Sequence, residues 1–180
     1  MIKEQINERI AAAFAGFRLP RYQDIPDVGL YLEQTVNYVN SYLHPFFDAQ
    51  VTGSMVSNYV KKKLLKNPVK KQYGREQIST LFFLAVAKSV LSLDHLSVLI
   101  EIRDEGYTPS GFHDRFCREL EETVQAVLLR QEKGSSEAKD VPDCFLPETG
   151  MESENWIIKS TITAVVHKAY LDQWIANYLS

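Results

Sequence analysis

Apolar residues recur every three or four positions along most of the chain, the spacing that lays one face of a helix on a core. Ile2, Ile6, Ile10, Ala13 and Phe14 form the first such stripe, and Gly16 closes it. Two prolines in "LPRYQDIPD" then break the pattern. Asp27 is a suitable N-cap for a helix through about Leu43, with Val28, Leu32, Val36, Val39 and Leu43 inward. Pro45 stops it, and Thr52 or Ser54 can cap a short helix ending near Lys62. Pro68 and Gly74 bracket a stretch that cannot be helix, so a tight hairpin or a short extended run is expected there.

From Glu76 to about Val90 the apolar positions lie nearly all round, the signature of a buried helix. Ser92 caps the next helix, through about Asp104, with Leu93, Leu96, Leu99 and Ile100 inward. Thr108 before Pro109 opens another, to about Gln131, with Phe112, Phe116, Leu120, Val124 and Val127 on its inner face. Residues 132–150 carry no periodicity. Ser153 caps a last helix to about Leu179, whose aromatic load (Trp156, Tyr170, Trp174, Tyr178) suits either plain core or the lining of a pocket. The expected fold class is all-α, with minimal β structure at the hairpin and long helices after it. Two regions follow, about 1–105 and 106–180, the second suited to dimerisation or effector binding.

Charge changes this picture at one place. The 180-residue chain is 45% hydrophobic and carries a formal charge of −3. Lys61, Lys62, Lys63, Lys66, Lys70, Lys71 and Arg75 fall within one window that holds no acid. That window is +7, which leaves −10 on the rest, so the molecule is strongly dipolar. At ~100° per residue, Ser54, Ser57, Asn58, Lys61 and Lys62 share one side of the short helix, and Met55, Val56, Tyr59 and Val60 the other. A face of small polar groups and cations without a carboxylate suits the DNA major groove. Lys66, Lys70 and Lys71, on the turn beyond, are placed to reach flanking phosphates. The ordinary alternative is a solvated charged surface.

The same stretch resembles the winged helix-turn-helix of MerR-type regulators. In that family a short recognition helix ends in a tyrosine pair and a Gly-Leu-Leu turn. A prolyl wing, a tyrosine, an apolar helix and a capped "S-L-x-x-I" helix follow. Tyr59 stands at the second tyrosine, Leu64 and Leu65 at the turn, Pro68 and Tyr73 in the wing, and Ser92-Leu93-Asp94-His95-Leu96 at the last motif. Ser57 replaces a frequent arginine, Asn58 the first tyrosine, and Lys63 the glycine of the turn. The N-terminal half, through "LPRY…DIPD…LYLEQTV" and "PVKKQY", is also similar to an uncharacterised bacterial domain family related to MerR. The resemblance implies a transcription regulator, homodimeric through its C-terminal helices, bound to double-stranded DNA. It implies contacts from Ser54, Ser57, Asn58, Tyr59, Lys61, Lys62, Lys66, Lys70, Lys71 and Arg75. Tyr59 could equally be a core residue.

Two other readings remain: a protein-interaction module that kept the fold without DNA, and a small-molecule sensor with its pocket in the second half. Catalytic signals are weak. His113 and Cys117 lie four apart on one helix, but no further metal ligands are evident. Asp94–His95 and His167–Asp172 have no obvious nucleophile, and the adjacent acids Glu121–Glu122 and Asp104–Glu105 face different sides of a helix. Eight scattered glycines make no phosphate loop. The chain reads as a non-enzyme without a cofactor. Two cysteines, Cys117 and Cys144, make no disulfide framework. The N-terminus is too acidic for a signal peptide, and no apolar run approaches ~20 residues, so a cytoplasmic protein is expected.

Overall fold

The computed structural model describes residues 2–44, 47, 50–129 and 153–179. Its elements run α1 (Ile2–Phe14), β1 (Leu30–Tyr31), α2 (Leu32–Leu43), α3 (Gly53–Lys61), β2 (Gln72–Tyr73), α4 (Arg75–Ala87), α5 (Leu93–Gly106), α6 (Pro109–Val124) and α7 (Ser153–Leu179). A 3₁₀ turn, Tyr22–Asp24, precedes β1, and a π-helical stretch, Gln125–Leu129, continues α6. The fold is therefore mostly α-helical, with one two-stranded sheet among the described residues. No described helix is long and apolar enough to cross a membrane.

The chain divides into two compact units, Arg18–Arg118 and a second made of Met1–Phe17 with Glu119–Ser180. This differs from the division expected near residue 105. The first helix belongs with the C-terminal helices, because Ile6, Ile10 and Phe14 bury a face that packs on α7 and on the π-helical stretch. From α7, Ile158, Ile162, Val165 and Val166 are buried in that unit, and the Tyr170 hydroxyl reaches Asn7 Oδ1 at 3.1 Å. Ala13, expected on the inner stripe of α1, is exposed. The last turns of α7 present Leu171, Ile175, Tyr178 and Leu179 to solvent.

The Arg18–Arg118 unit is built round α4. Every residue from Ile78 to Ala87 is buried, as an apolar helix without a polar face requires. Its adjacent phenylalanines serve two clusters. Phe82 meets Tyr38, Tyr42 and His113 edge-on, while Phe83 meets Phe112 and Phe116. Thr35, Val39 and Leu43 of α2, Val56 and Tyr59 of α3, and Leu96, Leu99 and Ile100 of α5 complete the core. Ser92 caps α5 by accepting from the His95 N–H at 3.2 Å, as expected.

The expected start of the second helix at Asp27 is corrected by a non-local pairing. Leu30–Tyr31 is a strand that pairs antiparallel with Gln72–Tyr73, so α2 begins at Leu32 and Val28 is exposed. Gly29 lies so close to Gln72 that a Cβ there would sit 2.8 Å from the Gln72 Cβ. Residues 45–46 and 48–49, the expected end of α6 at Gln131, the 132–150 stretch and Cys144 lie outside the described residues.

Candidate nucleic-acid interface

Thr52 begins the region of interest. Its Oγ1 accepts from the Met55 N–H at 3.2 Å and so caps α3, one of the two caps the sequence offered. The connector before it is closed by Asn40, whose side-chain amide donates to the Val51 carbonyl at 2.9 Å and accepts from the Val51 N–H at 2.8 Å. This bidentate latch fixes the approach of α3 to α2.

The face of α3 divides as its periodicity predicts. Ser54, Ser57, Asn58 and Lys61 are exposed, with Lys62 just beyond, and Val56 and Tyr59 are buried. The serine hydroxyls are partly engaged by their own helix: Ser57 Oγ donates to the Gly53 carbonyl at 2.9 Å, and Ser54 Oγ lies 3.0 Å from Thr52 Oγ1. Asn58 shows no side-chain hydrogen bond among the described residues.

Tyr59 is a correction. It is 1% exposed, and its hydroxyl is buried without a hydrogen-bond partner, so it is a core residue and not a phosphate contact. Burial raises its hydroxyl pKa, which keeps it neutral. Its position follows from the end of the helix. Lys63 takes φ 60°, the Lys63 N–H reaches the Val60 carbonyl at 3.0 Å, and the Leu64 N–H reaches the Tyr59 carbonyl at 2.9 Å. That is a Schellman cap, and Leu64, the residue that follows the left-handed position, is buried. Lysine fills the left-handed position where glycine is easiest, at a cost of about 1 kcal/mol.

A hairpin follows. Val69 and Gln72 exchange both backbone hydrogen bonds, at 3.0 and 2.9 Å, around Lys70 (φ 51°) and Lys71 (φ 66°). Two positive-φ residues between paired strands form a type I′ turn, which normally selects Asn-Gly. Here both positions carry lysine, each strained by about 1 kcal/mol, and both side chains are exposed. The hairpin is braced from behind by Gln77. Its Nε2 donates to the carbonyls of Asn67 (2.7 Å) and Lys66 (3.2 Å), and its Oε1 accepts from the Gly74 N–H at 2.7 Å. Gln77 and Asn40 were not singled out from sequence. A polar residue opening a helix, or lying on its outer flank, gives no local sign that it closes a loop.

The remaining cations divide. Lys61, Lys62, Lys63, Lys70 and Lys71 are exposed and make no ion pair among the described residues. Lys66 is exposed but its Nζ sits 2.6 Å from Glu76 Oε1. Arg75 is a correction, because its guanidinium is spent on structure. Nε donates to the Ile25 carbonyl at 2.8 Å, NH1 lies 3.3 Å from Gln23 Oε1 and 3.7 Å from Asp27, and the group stacks 5.8 Å from the Tyr22 ring centre. Arg75 pins the 21–27 segment to the start of α4.

His113 and Cys117 do meet, with Cys117 Sγ 3.4 Å from His113 Nε2, but both are buried on the Pro20 carbonyl. Nε2 must carry a proton to donate to that oxygen at 2.9 Å. Burial lowers the His113 pKa, against the pull of the Pro20 carbonyl and the Asp114 charge. The pair fastens the segment entering this unit to α6. No group of three or more His, Cys, Asp or Glu that could hold a metal ion occurs among the described residues. In the other unit, Trp174 stacks on Tyr178 at 5.3 Å and 10°.

No curated protein and no solved structure matches the chain. One family model does, over residues 20–113, which is more than half of the 180 residues and falls inside the Arg18–Arg118 unit that carries α3 and the hairpin. The chain thus belongs to the family described as a domain of unknown function, DUF1836.

Proposed function

We propose that the protein is a DNA-binding transcription regulator that lays α3 in the major groove and sets the Val69–Gln72 hairpin on the flanking backbone. One observation carries the reading. Exposed cations and small polar groups share the outer side of a capped helix and the tip of a braced hairpin, and three of the lysines, Lys63, Lys70 and Lys71, occupy backbone positions that disfavour them. Strain kept at an exposed site is a sign of use. Lys61, Lys62, Lys70 and Lys71 act as phosphate contacts, and Asn58 reads a base edge, flanked by Ser54 and Ser57. Lys66 joins them once Glu76 releases it. Arg75 and Tyr59 hold the frame.

A single nine-residue helix offers a small contact. Specific recognition by such motifs normally uses two copies on paired half-sites. The exposed stripe Leu171, Ile175, Tyr178 and Leu179 on α7 suits a second copy of the chain. The protein so read is cytoplasmic and works by binding rather than catalysis.

Selection of bound sequences from random duplex DNA, at two salt concentrations, tests this. An enriched two-fold symmetric motif is expected, and Asn58→Ala should alter the preferred bases without altering the salt slope. No enrichment for the natural sequence would refute the reading.

The exposed Val28, Tyr31 and Val69 favour a second reading, in which the hairpin docks an acidic protein partner. Recovery of one protein and no DNA, lost on reversing Lys70 and Lys71, would decide for it.

A further inference from the structure

Beside the turn that ends α3 lies a charged cleft. It opens between the turn after α3, the first turn of α4 and the end of α5. Its outer part, ≈ 240 Å³, is lined by Lys66, Glu76, Arg103, Asp104, Tyr107 and Pro109. A smaller recess of ≈ 40 Å³ shares the four charged residues and adds the apolar Leu64, Leu65 and Ile100 beside Lys63, Gln77 and Thr80. All belong to the Arg18–Arg118 unit.

The charges are arranged as two opposed pairs with capacity to spare. Lys66 Nζ meets Glu76 Oε1 at 2.6 Å. Arg103 Nε and NH2 both converge on Asp104 Oδ1, at 2.8 and 2.6 Å, while NH1 donates to Thr80 Oγ1 at 2.8 Å. Each carboxylate thus keeps one oxygen without a hydrogen bond among the described residues, and the guanidinium keeps two N–H groups. Arg103 is 8% exposed and lines both parts of the cleft.

A simple anion entering this cleft would meet two carboxylates, and a simple cation would meet Lys66 and Arg103. A ligand carrying both charges satisfies each pair. The volume limits it to a molecule far smaller than most drug-like ligands. We infer that the cleft binds a free α-amino acid with a short apolar side chain, its carboxylate on Arg103 and Lys66 and its ammonium on Glu76 and Asp104. The side chain points to Leu64, Leu65 and Ile100. Leu64 and Lys66 belong to the turn that caps α3, so an occupant bears directly on the end of that helix. Lys66 exchanges Glu76 for the ligand's carboxylate and so stays engaged in the cleft. Binding in the cleft stands apart from the DNA reading.

Thermal unfolding of the full chain, without DNA, in the presence of each of the twenty amino acids at millimolar concentration tests the site. One or a few with short apolar side chains should raise the midpoint by about 3 °C or more. Their N-acetyl and carboxamide derivatives, each lacking one charge, should not. Glu76→Gln with Asp104→Asn should abolish the shift. The inference is overturned if no amino acid shifts the midpoint, if the derivatives shift it equally, or if the double variant still responds. The derivative comparison uses the natural sequence, so it decides even where the variant folds poorly. Failure here leaves DNA selection untouched, and failure of DNA selection leaves this result standing.

Discussion

Two sets of cations lie within the Arg18–Arg118 unit and behave as opposites. Arg75 and Arg103 are drawn in, held by carbonyls, a threonine hydroxyl, acids and aromatic rings. Lys61, Lys62, Lys70 and Lys71 are left outside, without acids beside them, and two of them sit in strained backbone. Charge near the surface stabilises little by itself. The arginines therefore contribute by tying distant segments together, and the lysines contribute nothing evident to folding. That contrast separates frame from function: what the fold does not need, at positions the fold resists, is what a partner would use.

The contrast can be broken at its strongest point first. Arg103→Ala removes a nearly buried cation that bridges Thr80 and Asp104. It should cost about 2–3 kcal/mol, discounted because Asp104 is half exposed, and be read as a lower urea midpoint. Lys61→Ala and Lys62→Ala should stay within about 0.5 kcal/mol of the natural sequence. Equal losses in the two groups would erase the distinction.

Relief of the hairpin sharpens it. Lys70→Asn with Lys71→Gly supplies the residues a type I′ turn prefers and should stabilise the protein by about 1–2 kcal/mol, measured by the same unfolding curve. The same variant should bind duplex DNA more weakly, having lost two cations. Lys63→Gly should gain about 1 kcal/mol at the α3 cap while keeping the hairpin. A hairpin variant that is no more stable would show that the lysines are not strained there.

A last effect concerns pH. Burial depresses the His113 pKa, so on acidification the unfolded chain takes up a proton first. Its contribution is complete above about pH 6.5. It declines as pH falls below that value, by at most about 1.4 kcal/mol per pH unit, and levels off below the folded-state pKa. His113→Gln should remove this portion of the acid sensitivity of unfolding, leaving the lysine surface unaffected.

How far the sequence could be read follows from the range of each interaction. The outward face of α3, the buried α4, the cap at Ser92 and the hairpin between Pro68 and Gly74 were legible, because each depends on neighbours a few residues apart. The start of α2 was not. Asp27 is a good cap in isolation, but Leu30–Tyr31 is claimed by Gln72–Tyr73. Arg75 was assigned by its charge and its place in a basic run, while its partners Ile25 and Gln23 lie 50 and 52 residues upstream. Tyr59 could be placed on either side by angle alone, and the Schellman cap at Lys63 decides for the core. Asn40 and Gln77 escaped notice because a side chain that closes a loop onto backbone leaves no pattern in composition or period.

If the outlying lysines serve a polyanion, duplex binding must depend on them through salt. The dependence of duplex binding on salt, compared between the natural sequence and Lys70→Glu with Lys71→Glu, tests it most directly. The slope of log affinity against log salt should flatten by about 1.8, two contacts at ~0.9 each, with the unfolding midpoint unchanged or higher. An identical slope and affinity in the two proteins would contradict it.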